Sequence, residues 1–316
     1  MALLRIWLAR AWCAALLFVL PAAAIAADAA PSPARPALWR AHNGDSTLYL
    51  FGSLHILPPG YVWTTPAIEA AMAASDLFIF EVPIDEATFE EEKQFIVENG
   101  FLARQQTLRG LLSQIEFQRY SSVMKRAGLK PFFYERYQPW LAALVLGLAY
   151  LHGDNIVSLN GADDAIKDYA RELGKSLLYL ETPREQMALL NRGNHNSQLK
   201  ALKNLLISLP RVRTQDREMR QTWSGGDAKA FTALLEGYFE GRPEAQELLI
   251  NGRNRNWMPA LKQSLARHGG TTMLTVGAAH IGGKMGLIGL LCGQGYEVER
   301  VGEGGQQAEN ACGPEA

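Results

Sequence analysis

Residues 47–55 read TLYLFGSLH and residues 274–280 read LTVGAAH. Each is an apolar, strand-forming run that closes on Gly-x-x-His, as Gly52 to His55 and as Gly277 to His280, one near each end of a 316-residue chain. Between them lie DLFIFEVP at 76–83 and SLLYLET at 176–182. All four runs are continuously apolar rather than alternating, the pattern of strands covered on both faces in a parallel sheet.

Working outward, LWRAHNGDSTLYLFGSLH at 38–55 reads as a hairpin about Asn43-Gly44-Asp45, with its second arm ending at His55. LPPGYVWTTP is a loop, and PAIEAAMAAS is a short amphipathic helix leading into DLFIFEVP. Strand, loop, helix and strand of this length predict a right-handed βαβ unit with both strands parallel and buried. From about 86 to 153 the spacing becomes helical, and three segments each end at Gly, which marks a helical insertion. Its run WLAALVLGLAYL is too short to span a bilayer and reads as a buried helix. Alternation resumes with the helix ADDAIKDYARELGK and SLLYLET, another buried strand, followed by helices over 183–268. The end, TTMLTVGAAHIGGKMGLIGLLCGQGYEVERV, is strand, glycine turn, helix and strand, mirroring the opening. The fold class is therefore mixed α/β, an α+β chain with a central, largely parallel sheet, flanking helices and a helical insertion.

Composition agrees with a packed core: 48% hydrophobic, 20% charged, with 29 Gly and 15 Pro. A net charge of -1 gives no electrostatic ground for nucleic acid as a partner. Residues 1–26 have the layout of a secretory signal: Arg5 and Arg10, an apolar run, then Ala24-Ile25-Ala26, so cleavage is expected near Ala26. The remaining chain, 27–316, is then exported, periplasmic or secreted, without a membrane span. In an oxidising compartment Cys292 and Cys312 can close a loop of about 20 residues, a disulfide worth about 3 kcal/mol. A buried Cys292 and a frayed tail with a free Cys312 are the alternatives.

The chemistry gathers at the strand ends. Glycine at a strand exit lets the backbone approach a ligand closely, and open α/β sheets bind ligands at the C-terminal ends of their strands. His55 and His280 both stand there, and Glu81 interrupts an otherwise apolar strand at the same kind of position. A carboxylate in such surroundings needs a partner, a salt-bridging Arg or a metal. Two neutral imidazoles and one carboxylate form the ligand set of catalytic divalent-metal sites, in which bound water is activated. Glu181 ends SLLYLET in the same way, as a second ligand, a general base or a carboxylate orienting a His. NGRNRNWMPAL concentrates Arg253, Asn254, Arg255 and Asn256, donors suited to an oxyanion or a substrate carboxylate, or simply a solvated helix start. His42, His152, His195 and His268 sit in polar or loop contexts and carry no assigned role. There is no His-Glu-x-x-His, Gly-x-Ser-x-Gly or P-loop, which removes zincin, α/β-hydrolase and NTPase chemistry.

GSLHILPPG, DLFIFEVP, the GADDAIKDYARELGK helix before YLETPREQ, TWSGGD, RNRNW and VGAAHIGGKMGLIGLL, in that order, resemble the TraB/PrgY/GumN family over essentially the whole exported chain. That family is similar to the Tiki metalloproteases and, more distantly, to erythromycin esterases and ChaN-like haem-binding proteins. The resemblance implies a ChaN/erythromycin-esterase-like fold and a metal-dependent hydrolase with two Gly-x-x-His motifs and a Glu. Here those are carried by His55, His280 and Glu81, with Arg253 and Asn254 matching the Arg-Asn of the late helix. The expectation is a hydrolase using Mn, Co or Zn on a peptide or a small ester or amide, with Arg253 steadying the oxyanion. The rival is a protein of the same architecture in which the His pair holds haem or another ligand without hydrolysis, and a third reading is an inactive scaffold that sequesters a partner.

Overall fold

The computed structural model describes residues 34–58, 60–83, 85–152, 161–267, 269–302 and 309–313. The expected signal sequence, its cleavage site and His268 lie outside the described residues. The chain divides into two compact units, a sheet unit (34–82, 161–180 and 219–313) and a helical unit (83–152 and 181–218).

The sheet unit is built on seven strands: β1 (Leu38–Asn43), β2 (Ser46–Ser53), β3 (Leu77–Phe80), β4 (Ser176–Tyr179), β5 (Thr271–Gly277), β6 (Glu297–Arg300) and β7 (Glu309–Asn310). Their order is β4-β3-β5-β2-β1-β6-β7. The four from β4 to β2 are mutually parallel, and β1, β6 and β7 extend the sheet by antiparallel pairing. The β1-β2 hairpin turns where its Asn-Gly signal lies, with Gly44 at φ 62°, left-handed backbone that glycine adopts without strain. β2 and β3 share one direction as the βαβ reading requires, yet they are not neighbours, because β5, the strand of the second Gly-x-x-His, inserts between them.

Both faces of the parallel body are covered. On one, Leu48, Leu50, Leu77, Ile79, Leu274 and Val276 pack with Trp257, Met258 and Leu261 of the helix Gly252–Leu265 and with Leu287, Ile288 and Leu291 of the helix Leu287–Cys292. On the other, Phe78 meets Tyr169 of the helix Ala162–Glu172 at 6.3 Å between ring centroids, and Phe51 stacks on Trp63 at 5.5 Å. Each Leu or Ile buried in this way contributes about 1.5–3 kcal/mol relative to leaving it in water. β4 departs from expectation. Its residues are half-buried or exposed because it is the outermost strand, so SLLYLET is an edge strand and not a buried one.

Cys292 and Cys312 form a disulfide across 20 residues, with Cα atoms 5.4 Å apart. It ties the β7 segment to the end of the helix Leu287–Cys292, and Ala311 and Cys312 pack against the core cluster. In the helical unit, Asp85, Ser113 and Thr182 accept backbone N–H groups at the starts of the helices Glu86–Asn99, Gln114–Arg126 and Pro183–Leu190. WLAALVLGLAYL lies in the helix Pro139–His152, which is buried along most of its length, and Trp140 Nε1 donates to the Asn99 carbonyl at 3.2 Å. No helix among the described residues is long and apolar enough to cross a membrane.

Candidate active site

Because β3, β5 and β2 are adjacent and parallel, their C-terminal ends deliver Glu81, the 277–280 turn and His55 to one edge of the sheet. The register pairs Gly52 with Val276 and Ser53 with Gly277, so the two Gly-x-x-His motifs lie side by side. Each glycine makes room for the other motif. A Cβ on Gly277 would lie 2.8 Å from His55 Nε2 and 3.3 Å from Glu81 Oε1, and one on Gly52 would lie 2.9 Å from the Ala278 Cα. Absent side chains, rather than special backbone angles, explain these two glycines.

Glu81 anchors the cluster. Its Oε1 accepts the Gly277 N–H at 2.6 Å, and its Oε2 accepts from Arg253 Nη2 at 2.7 Å. Burial works to raise its pKa, but the Arg253 cation, the His55 imidazole and the Gly277 N–H outweigh burial and hold it well below the usual carboxylate range. Both histidines point Nε2 toward Glu81 Oε1, His55 from 3.8 Å and His280 from 4.0 Å.

The two imidazoles are held in different states. Asn254 Nδ2 donates to the carbonyls of Met285 at 2.7 Å and His280 at 3.2 Å, which fixes its amide orientation. Its Oδ1 therefore accepts from His280 Nδ1 at 2.6 Å, and His280 Nε2 accepts from Arg253 Nη1 at 3.0 Å. His280 is thus neutral, with its proton on Nδ1. Burial, aided by the Arg253 cation and opposed by Glu81, pushes its pKa down to about 3. His55 goes the other way. Burial disfavours its charged form, but the Asp163 carboxylate, 3.2 Å from Nδ1, and the nearby Glu81 outweigh that and raise its pKa. The Asp163 contact is an ion pair more than an aligned hydrogen bond, since Nδ1 meets no acceptor in good geometry.

His55, Glu81, Arg253, Asn254 and His280 are 5%, 6%, 3%, 0% and 1% exposed, so every member of the cluster is buried. The helix Gly252–Leu265 sorts its polar run by helical spacing: Arg253 and Asn254 face inward, while Arg255 and Asn256 are exposed and Arg255 pairs with Glu247. Glu181 is half-buried just past β4 and belongs to the helical unit. His42 is exposed beside Glu299. His195 lies in the helical unit near Gln138.

Asp163 is the site residue that sequence reasoning missed. In GADD it reads as one of two acids complementing the start of a helix, and its neighbour caps that start: Asp164 Oδ2 accepts the Gly161 N–H at 3.1 Å. Burial and the adjacent Asp163 raise Asp164 to about 6. The available signal is the glycine before them, since a Cβ on Gly161 would lie 2.6 Å from the His55 backbone. That close approach places the helix start against the first Gly-x-x-His.

The two Gly-x-x-His motifs, Glu81 and the Arg253-Asn254 pair thus meet at one edge of one sheet, and the sequence model of the TraB/PrgY/gumN family matches residues 37–300. The chain belongs to the TraB/PrgY/gumN family. No curated protein and no solved structure matches it. The family match thus spans the strands and the late helix that build the cluster.

In donor chemistry the cluster suits a divalent ion, with two imidazole nitrogens facing a shared carboxylate. As the side chains lie, Arg253 holds the His280 lone pair and one Glu81 oxygen. Among the described residues no group of three or more His, Cys, Asp or Glu is arranged to hold a metal ion. Ligation by this donor set therefore requires the guanidinium to move.

Proposed function

We propose that this TraB/PrgY/gumN protein is an exported, metal-dependent hydrolase acting on a carbonyl of a peptide or of a small ester or amide. The observation that carries the proposal is the convergence of two buried imidazoles and one ionised carboxylate from three neighbouring parallel strands. His55, Glu81 and His280 would hold the ion. When bound, a divalent ion supplies Lewis acidity to water and to the substrate carbonyl.

The chain's own residues do the remaining work. Asn254 keeps the His280 proton on Nδ1 and so presents the Nε2 lone pair to the cluster. Asp163 orients the His55 ring from its Nδ1 side, a carboxylate–imidazole pairing that raises the basicity of Nε2. The Gly277 N–H keeps one Glu81 oxygen in place and favours its charged form. The Arg253 guanidinium, 4.6 Å above the Trp257 ring, brings two donors suited to the negative charge that develops on an attacked carbonyl oxygen.

The test begins with elemental analysis of protein purified without chelator, then a peptide-library cleavage assay with Mn, Co and Zn. His55→Ala is expected to abolish metal-dependent hydrolysis while leaving the circular dichroism spectrum nearly unchanged. A Soret band on haem titration without stoichiometric metal would replace the hydrolase by a binding protein. Export is tested by N-terminal sequencing of the secreted product, expected to start near residue 27.

A further inference from the structure

Resting on the hydrolase reading, we infer that Arg253 is a built-in substitute for the metal ion. In the ion-free protein its guanidinium occupies the groups a divalent cation would use, and the ion binds by displacing it.

The competition is for the same lone pairs. Nη2 donates to Glu81 Oε2 at 2.7 Å and Nη1 donates to His280 Nε2 at 3.0 Å, so one planar cation bridges the carboxylate and the imidazole. Because Asn254 fixes the His280 proton on Nδ1, Nε2 is an obligate acceptor here, able to take a guanidinium N–H or a metal but not both. Charge gives the same answer. The Glu81 charge is already matched by Arg253, in a site where the residues are at most 6% exposed. A divalent ion entering beside a retained guanidinium would leave excess positive charge in a poorly solvated interior, a strongly unfavourable arrangement.

Arg253 also follows an irregular turn. Immediately before it, Glu247–Asn251 forms a π-helical turn, and Arg253 Nη1 donates at 3.3 Å to the Leu249 carbonyl inside that turn. A π turn inside a helix is rare and is found most often at functional sites. The guanidinium also lies 4.6 Å from the Trp257 ring, and His280 meets that ring at 4.5 Å between centroids. Trp257 is therefore a reporter of the exchange. Displacement would leave the arginine donors free for the substrate oxyanion, so that loading of the ion and readiness for substrate become one event.

The test is calorimetric and fluorescence titration of full-length protein with Mn(II), Co(II) and Zn(II). The proteins compared are the wild type, Arg253→Met, which keeps an unbranched stem over Trp257 but has no donors, and Arg253→Lys, which has one short donor. Removing two charge-assisted hydrogen bonds from the competing state should tighten ion binding about 10- to 100-fold in Arg253→Met, with Arg253→Lys between it and the wild type. Glu81→Gln should remove binding in every background. Ion binding to the wild type should change the fluorescence, and Trp257→Phe should abolish that change. Equal, tight affinities in wild type and Arg253→Met would overturn the displacement and leave the hydrolase reading standing. Absence of binding in both, or binding indifferent to Glu81→Gln, would remove the metal site and the displacement together. If Arg253→Met does not fold, Arg253→Lys and the wild-type fluorescence decide alone: unchanged affinity or an unchanged Trp257 signal at saturation refutes the inference.

Discussion

Replacing Gly277 with alanine and replacing Gly237 with alanine add the same methyl group with opposite expected consequences. Gly237 lies inside the helix Ala228–Phe239, and a Cβ there meets nothing within 4 Å. Alanine should stabilise that helix by about 0.5–1 kcal/mol, the usual helix-interior difference between the two residues. Gly277 has φ −52°, which alanine adopts freely, so backbone strain does not enter. Space does. The new Cβ would stand 2.8 Å from His55 Nε2, and the imidazole must retreat about 0.6 Å to reach ordinary van der Waals contact near 3.4 Å. That retreat is opposed by Asp163, 3.2 Å away on the far side of the ring, while Glu81, 3.3 Å from the methyl group, is held by Arg253. Overpacking of this kind destabilises by about 1–3 kcal/mol. Urea denaturation followed by circular dichroism should therefore place Gly277→Ala below the wild type and Gly237→Ala above it. A shift of most of an ångström at a ligating or catalytic atom should also lower activity by up to about 100-fold. If Gly277→Ala is as stable as the wild type and binds ions equally well, the interlocking of the two motifs is not what positions the cluster.

Three further outcomes follow from the electrostatics and the covalent link. The depressed pKa of His280, about 3 when folded against 6.5, and that of Glu81 mean that the unfolded chain binds more protons below about pH 6.5. Their stabilisation is present above the unfolded values and lost as pH falls, whereas Asp164, raised to about 6, works in the opposite direction. The difference between wild type and His280→Gln isolates the first effect: wild-type stability should fall more steeply between pH 6.5 and 4, and parallel curves would disprove a neutral His280. Asp163→Asn removes the carboxylate that favours His55 in its charged form, so the His55 pKa, followed by ring-proton NMR, should fall; no change would remove Asp163 from the site. Reducing Cys292–Cys312 should destabilise the protein by about 3 kcal/mol, read as a lower urea midpoint in the presence of dithiothreitol.

Much of this was legible in the sequence for physical reasons. Continuous apolar runs identified β2, β3 and β5 as strands of a covered sheet but misread the burial of β4, and the Asn43-Gly44 signal identified the hairpin. Glu81, a carboxylate at the end of an apolar strand, had to meet a metal or an arginine, and the partner present is Arg253. β4 is the outer strand, so the apolar run of SLLYLET did not by itself show which face of the sheet edge Glu181 stands on. Strand order is not a local property, so the insertion of β5 between β2 and β3 could not be read from either Gly-x-x-His alone. Asp163 was hidden for a related reason: an acid in the first turn of a helix satisfies local rules whether or not it also reaches an imidazole 108 positions earlier.

The place of β5 bears on how the polypeptide matures. Until residue 277 has left the ribosome, β2 and β3 lack the neighbour that joins them and each presents an unsatisfied edge, a template for association with other chains. Pairing across more than two hundred positions is intrinsically slow. A nascent or truncated chain therefore holds His55 and Glu81 without His280, and the cluster can assemble only after residue 280 has emerged.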